Sequence, residues 1–228
     1  MKNPFYFHGS RKPDFRNIEN IDYNDYWRAR GFKMKSKLLP REAVLFDWIQ
    51  PNSKVLDLGC GTSRLLYDLK TKKNCDCTGF DTSQVAVNGI KAEGVKAEVA
   101  NIEEKDFVLT ENYDYIIFAE VVEHMRFPED VFKKVIPHTK QIAITLPNSA
   151  FYRYRLGLLF NGRFFTQWYK HPSEHLRYWS HIDFMDWLGA QGLIVEKYKA
   201  ANGFELKDLW PNMFAHQVCY LAKTNINS

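Results

Sequence analysis

Hydrophobic positions along this chain change their period several times, and each change marks an element. Residues 23–30 read as a short helix. A second helix opens at Pro40, with Ala43, Val44, Phe46, Trp48 and Ile49 on a broad apolar face. Proline suits a first helical turn, where its missing N–H would have had no partner. Short apolar runs then alternate with helix-length stretches. "KVLDLG" (54–59), "CDCTGFD" (75–81), "VKAEVAN" (95–101), "YDYIIFAEVV" (113–122) and "QIAITLP" (141–147) read as strands. "SRLLYDLKTK", "SQVAVNGIKAEG" and "PEDVFKKVIPHT" read as helices. This alternation predicts βαβ units, a parallel sheet and right-handed crossovers.

The pattern breaks after Pro147. Residues 148–179 interleave cations with aromatic rings and do not alternate. A helix follows, with Ser180 as its cap and Asp183 where an acid answers a cap. "LIVEKYKA" (193–200) and "QVCYLAKT" (217–224) are two final strands with no helix between them, which predicts an antiparallel edge pair. The expected organisation is a single domain over 1–228. It comprises an N-terminal arm and helical cap (1–40), a core (41–147), an insertion (148–179), and a last helix with edge strands (180–228).

Composition narrows the functional classes. With 228 residues, 45% of them hydrophobic, the chain is long enough to bury one large core. A net charge of +4 is too small a bias to argue for nucleic acid. Cys60, Cys75, Cys77 and Cys219 lack the spacing of a four-ligand structural metal site, so no metal is expected. They read as thiols in a reducing compartment. The first residues hold no apolar run of signal-peptide length, and no window approaches the roughly 18 apolar residues of a membrane span. A cytoplasmic protein without a membrane partner is expected, and a homodimer is left open.

The candidate chemistry begins in "VLDLGCGTSRLL" (55–66). Glycines at a strand end let a backbone approach a ligand, as dinucleotide, nucleoside-triphosphate and S-adenosylmethionine (SAM) sites all require. "GCGTSR" lacks the Gly-Lys-Ser/Thr ending of a triphosphate loop, and Arg64 stands where a dinucleotide turn has its third glycine. Asp57 suits the cationic ammonium and sulfonium of SAM better than a phosphate. Asp81 ends the second strand 20 residues after Gly61, where an acid can hold both ribose hydroxyls; it can equally cap the helix that starts at Thr82. After the third strand, Asn101 and Ile102 offer an amide for an adenine edge and an aliphatic cover for its face, although Asn101 also suits a turn.

In this order and spacing, "VLDLGCGTSRLL", "GFDTS", "ANIEE" and "YDYIIFAEVVEHM" resemble the successive motifs of class I SAM-dependent methyltransferases. "TLPNSAFYRYRLGLLFNGRFF", "HLRYWSHIDFMDWLGAQGL" and "LWPNMFAHQVCYLAK" resemble the MetW-type subgroup, named from methionine biosynthesis. The resemblance implies a Rossmann-like seven-stranded α/β sheet of order 3-2-1-4-5-7-6, with strand 7 antiparallel and helices on both faces. It implies SAM as cofactor and S-adenosylhomocysteine as product. Asp57, Gly59, Cys60 and Gly61 would lie at the methionine end, Asp81 and Thr82 at the ribose, Asn101 and Ile102 at adenine, and Glu120 beside the methionyl group. Ser63 departs from the glycine usual at its position, and Asn101 from the usual aspartate.

On the acceptor side, His124 and His175 are the candidate catalytic residues, one as base and the other as orienter. Tyr152, Arg153, Arg155, Arg177 and Tyr178 are the candidate acceptor contacts, since guanidinium forks match phosphates and carboxylates while rings cover sugars. The same segment also reads as an amphipathic helix whose rings only pack on the sheet. The leading expectation is methylation, on oxygen, of a small anionic acceptor such as a phosphorylated or nucleotide-linked sugar. Proteins of the MetW type are associated with a homoserine acyltransferase, so a SAM-binding partner subunit is the alternative. "AEVVEHM" lacks the Asn/Asp-Pro-Pro-aromatic signature of base amino-group methylation, which disfavours a nucleic-acid acceptor.

Overall fold

The computed structural model describes residues 21–31, 34–162, 164 and 174–224. Seven strands form one sheet in the order β3-β2-β1-β4-β5-β7-β6. They are β1 (Lys54–Leu58), β2 (Asp76–Asp81), β3 (Lys96–Val99), β4 (Tyr113–Ala119), β5 (Thr139–Pro147), β6 (Leu193–Gly203) and β7 (Ala215–Thr224). β1 pairs in parallel with both β2 and β4, whereas β7 runs antiparallel to its neighbours β5 and β6. The expected sheet order and single reversed strand are therefore present.

Alternation along the strands sends side chains to two cores, one on each face. Leu56 and Leu58 of β1, Ile116 and Phe118 of β4, and Ile142 and Ile144 of β5 pack on one face. Helices α5 (Pro128–Val135) and α7 (His181–Ala190) cover it, through Phe132, Val135, Phe184 and Leu188. Val55, Tyr115, Ile117 and Ala143 pack on the other face. There they meet α2 (Pro40–Trp48), α3 (Arg64–Lys73) and α4 (Gln84–Ala92).

Several boundaries differ from expectation. β4 stops at Ala119 rather than 122, because Glu120 has φ of 60° and turns the chain out of the sheet. The next helix stops at Val135 and tightens into a 3-10 turn over Ile136–His138, since Pro137 cannot donate a backbone hydrogen bond. The insertion opens as a helix, α6 (Tyr152–Asn161), closed by left-handed Gly162, whose N–H donates to the Leu158 carbonyl. A four-residue helix, α8 (Pro211–Phe214), also interrupts the β6–β7 connection, which was read as helix-free. The short helix α1 (Tyr23–Arg30) forms as read, capped by the Asp22 carboxylate.

The Phe132 ring, fully buried, stacks on Phe118 with centroids 4.9 Å apart and meets the Trp187 ring at 4.9 Å edge-on. Phe132→Ala should cost about 3–5 kcal/mol in a denaturant titration, the usual range for emptying so packed a site.

Candidate active site

The strand order reverses between β1 and β4, and ligands of open parallel sheets sit at the carboxyl ends of such strands. The turn leaving β1 is built around left-handed backbone at Gly59 (φ 76°) and Gly61 (φ 50°). The Gly59 and Cys60 amides donate to the Phe80 carbonyl at 2.7 and 2.9 Å. The Asp81 carboxylate accepts from the Gly61 amide through one oxygen and from the Ser83 amide through the other, both at 2.8 Å. Each oxygen keeps a lone pair for a ligand hydroxyl. Burial pushes the Asp81 carboxyl above the usual range, with the two amides opposing it. The Cys60 thiol lies so close to Gly79 that a Cβ there would be 2.6 Å from Sγ.

Asp57, Gly59, Cys60, Gly61 and Glu120 line one lobe of a cleft that is open to solvent. Asp57 is 1% exposed, and its Oδ1 has no hydrogen-bond partner. Desolvation raises its carboxyl to about 7, opposed by a hydrogen bond from Ser63. Ser63 also caps α3, its Oγ accepting from the Leu66 amide at 3.3 Å. The serine in place of glycine therefore does two jobs, which accounts for the departure at this position. Arg64 swings away to pair with Asp68 at 2.8 Å. Arg41 lines the same lobe with a buried Nε that has no partner, a feature the sequence reading missed.

The adjoining lobe, about 840 Å3, is lined by Asp81, Thr82, Asn101, Ile102, Met125 and Tyr23, among others. Ile102 is buried and doubles as core. Asn101 uses its side chain within its own turn, accepting from the Glu103 amide at 3.1 Å and donating to Glu104 at 3.3 Å. Trp27 of α1 lies over the turn: a Cβ on Gly61 would come within 2.6 Å of its ring. Asn24 pins α1 in place, its Oδ1 accepting from the Ser83 hydroxyl at 3.0 Å and the Val85 amide at 3.3 Å.

Where the lobes meet, the left-handed Glu120 holds its carboxylate between Thr145 Oγ1 (3.3 Å) and Gln217 Nε2 (2.7 Å). His124, Glu120 and Glu174 border both lobes. His124 Nδ1 pairs with the Glu174 carbonyl, so it carries the proton and Nε2 keeps a lone pair. The His124 and His175 ring centroids are 4.8 Å apart with planes 84° apart. Burial keeps both rings neutral, His124 below its ordinary value and His175 down to about 3, helped by the neighbouring His124. The two candidate catalytic histidines, far apart in sequence, are thus brought together.

A family model described as "Methionine biosynthesis protein MetW" matches residues 41–222. The chain belongs to the MetW family. Over a shorter stretch this MetW-family chain is similar to (S)-tetrahydroprotoberberine N-methyltransferase of Eschscholzia californica, 33% identical over 93 residues that make up 38% of this chain. The match spans only 27% of that relative. Among solved structures it is similar to a chain from the complex of the Haloferax volcanii Trm112 methyltransferase activator with a methyltransferase. The TM-score is 0.64 at 14% identity, covering 90% of this chain and 96% of that one. It is also similar to Burkholderia thailandensis 1,6-didemethyltoxoflavin-N1-methyltransferase with bound 1,6-didemethyltoxoflavin and S-adenosylhomocysteine. There the TM-score is 0.58 at 15% identity, covering 88% and 82%. The MetW-family chain has the fold of class I SAM-dependent methyltransferases.

The five expected acceptor contacts line neither lobe of the MetW-family cleft. Tyr152 joins an aromatic cluster with Phe151, Phe204 and Phe214. Arg153 lies over the Tyr152 ring. Arg155 donates to the Ala150 and Asn212 carbonyls. Arg177 donates to the Arg126 carbonyl and faces Glu129 at 3.7 Å. Tyr178 lies near His175, their ring centroids 6.5 Å apart. Arg163, Lys170 and His171, further cations of the insertion, fall outside the described residues. No helix of the described residues is long and apolar enough to cross a membrane.

Because the folded-state value of Asp57 is raised, its stabilising contribution is complete below about pH 4 and is lost as pH rises through about 7. Without ligand, wild-type melting temperature should fall across that window, and Asp57→Asn should flatten the profile. An unchanged profile in the variant would show that Asp57 does not carry it.

Proposed function

We propose that this chain is a SAM-dependent methyltransferase whose acceptor is a small, hydroxyl-bearing molecule. The observation that carries the reading is the lobe containing both Asp57, a buried carboxylate with an unpartnered oxygen, and Arg41, with an unpartnered guanidinium nitrogen. Buried charges demand counter-charges. An amino acid's ammonium and carboxylate supply both, and SAM carries that pair on its methionyl end. Asp81 then takes the ribose hydroxyls, Thr82 flanks them, and Asn101 with Ile102 meets adenine. Glu120 stands beside the methionyl group.

Sulfonium chemistry needs alignment more than activation, which can supply roughly 7–11 kcal/mol in favourable geometries. His124 and His175, both neutral, are suited to hold the acceptor oxygen and take its proton. An anionic acceptor finds support in Lys35 at the cleft, rather than in the described arginines of the insertion. α1 acts as the lid, since Trp27 covers the glycine turn.

A second reading, a SAM-binding subunit of a biosynthetic enzyme, is favoured by the exposed Leu159 of α6 and by Leu209 and Trp210 in the β6–β7 connection.

Isothermal titration should show SAM and S-adenosylhomocysteine binding, with NAD inert. Asp57→Ala and Asp81→Ala should each weaken SAM at least about tenfold, a loss of 1.4 kcal/mol or more. NAD binding in place of SAM would sink the proposal. With a panel of hydroxyl and amine acceptors, His124→Ala and His175→Ala should each lower turnover about 10²–10⁴-fold while sparing SAM affinity. Tight SAM binding with no turnover of any acceptor would select the subunit reading. Trp27→Ala should raise the SAM dissociation constant; unchanged affinity would end the lid role.

A further inference from the structure

Three side chains converge where the cleft wall is least satisfied. Both Glu123 carboxylate oxygens and His175 Nδ1 are buried without a hydrogen-bond partner. These residues are 1% and 9% exposed. With His124 they form a group in which one ligand-capable atom from each lies within 4.8 Å of the others. A buried carboxylate with neither oxygen paired bears its full desolvation penalty. Two orphaned groups facing one shared space indicate that something positively charged belongs there.

The surroundings are arranged for such an occupant. The His124 ring is held by its Nδ1 contact with the Glu174 carbonyl, the outer-shell bond by which ligating histidines fix their tautomer. The Glu123 carbonyl accepts from the Leu176 amide at 2.8 Å and the Arg177 amide at 3.1 Å. These bonds fasten the His175 segment onto the 3-10 turn Val122–His124. All three residues also border the Asp57 lobe.

We propose that Glu123, His124 and His175 hold a divalent transition-metal ion in the cleft wall, and that its open positions take the acceptor hydroxyl. Two imidazole nitrogens and one carboxylate oxygen suit zinc, manganese or iron and leave positions vacant. With Glu120 alongside, two carboxylates balance the double charge. Coordination lowers the proton affinity of a bound hydroxyl. With the ion in place the two histidines act as its ligands instead of as the base: the hydroxyl proton leaves to solvent, the oxygen lone pair forms the O–C bond to the SAM methyl, and the C–S electron pair stays on sulfur. Only this second part rests on the methyltransferase reading; ion binding does not.

Chelator-treated full-length protein, titrated with MnCl2 or ZnCl2, should bind one ion per chain. Glu123→Gln, His124→Ala and His175→Ala should each weaken binding at least about tenfold, with melting followed by circular dichroism. No saturable binding by the wild type, or equal binding in all three folded variants, overturns the site. If the variants fail to fold, Co2+ added to the wild type decides, because nitrogen ligation gives visible absorption and its absence counts against the site. The Mn2+-loaded chain should enhance water-proton relaxation through an exchangeable water. No enhancement overturns the acceptor role. S-adenosylhomocysteine titrated into the same chelated protein reports separately on the donor site, so failure there leaves the metal result standing.

Discussion

The Asp81 carboxylate ties the ends of two parallel strands into one ligand-facing surface. It closes the glycine turn after β1 through the Gly61 amide and starts α4 through the Ser83 amide. Ser83 in turn holds Asn24 of α1, so the placement of that helix depends on the same knot. Charge-assisted bonds to amides at helix starts are among the stronger ones a small site can make. The turn, the helix and the cap are therefore placed by one side chain that also lines the cleft beside Thr82 and Asn101.

Around that knot the fold tolerates groups that a stable core would avoid. Asp57 and Glu123 are both about 1% exposed and incompletely paired. Desolvation lifts the Glu123 carboxyl well above its ordinary value, with Glu120 nearby adding to the effect. Glu120 itself sits in left-handed backbone that non-glycine residues rarely adopt. Two apolar cores, one on each face of the sheet, hold these groups in place. The strain and the missing counter-charges gather at the crevice where β1 and β4 diverge, which is where ligands are expected to supply what is lacking.

The parallel sheet was legible because buried strands and helices differ in period, and because the glycine turn and Asp81 fall at fixed distances along that pattern. Ser63 departs from the usual glycine, and the reason lies in its hydroxyl, which caps α3. Glu123 was hidden, since a three-residue 3-10 turn has no period from which burial can be read. The described arginines of the insertion meet backbone instead of the cleft. Long guanidinium chains can satisfy themselves on carbonyls distant in sequence, as Arg177 does at Arg126 and Arg155 at Asn212. Composition cannot distinguish a fork aimed at a ligand from one spent on backbone. His124 and His175 were paired on residue type alone; the Leu176 and Arg177 amides on the Glu123 carbonyl, with the Glu174 carbonyl on His124, are what make them neighbours.

A crystal structure of the chain with S-adenosylhomocysteine tests the donor site most directly. The predicted result has the amino group against Asp57, the ribose hydroxyls on Asp81 and the sulfur opening toward His124 and His175. A ligand seated with its amino group away from Asp57, or bound outside the cleft, would contradict it.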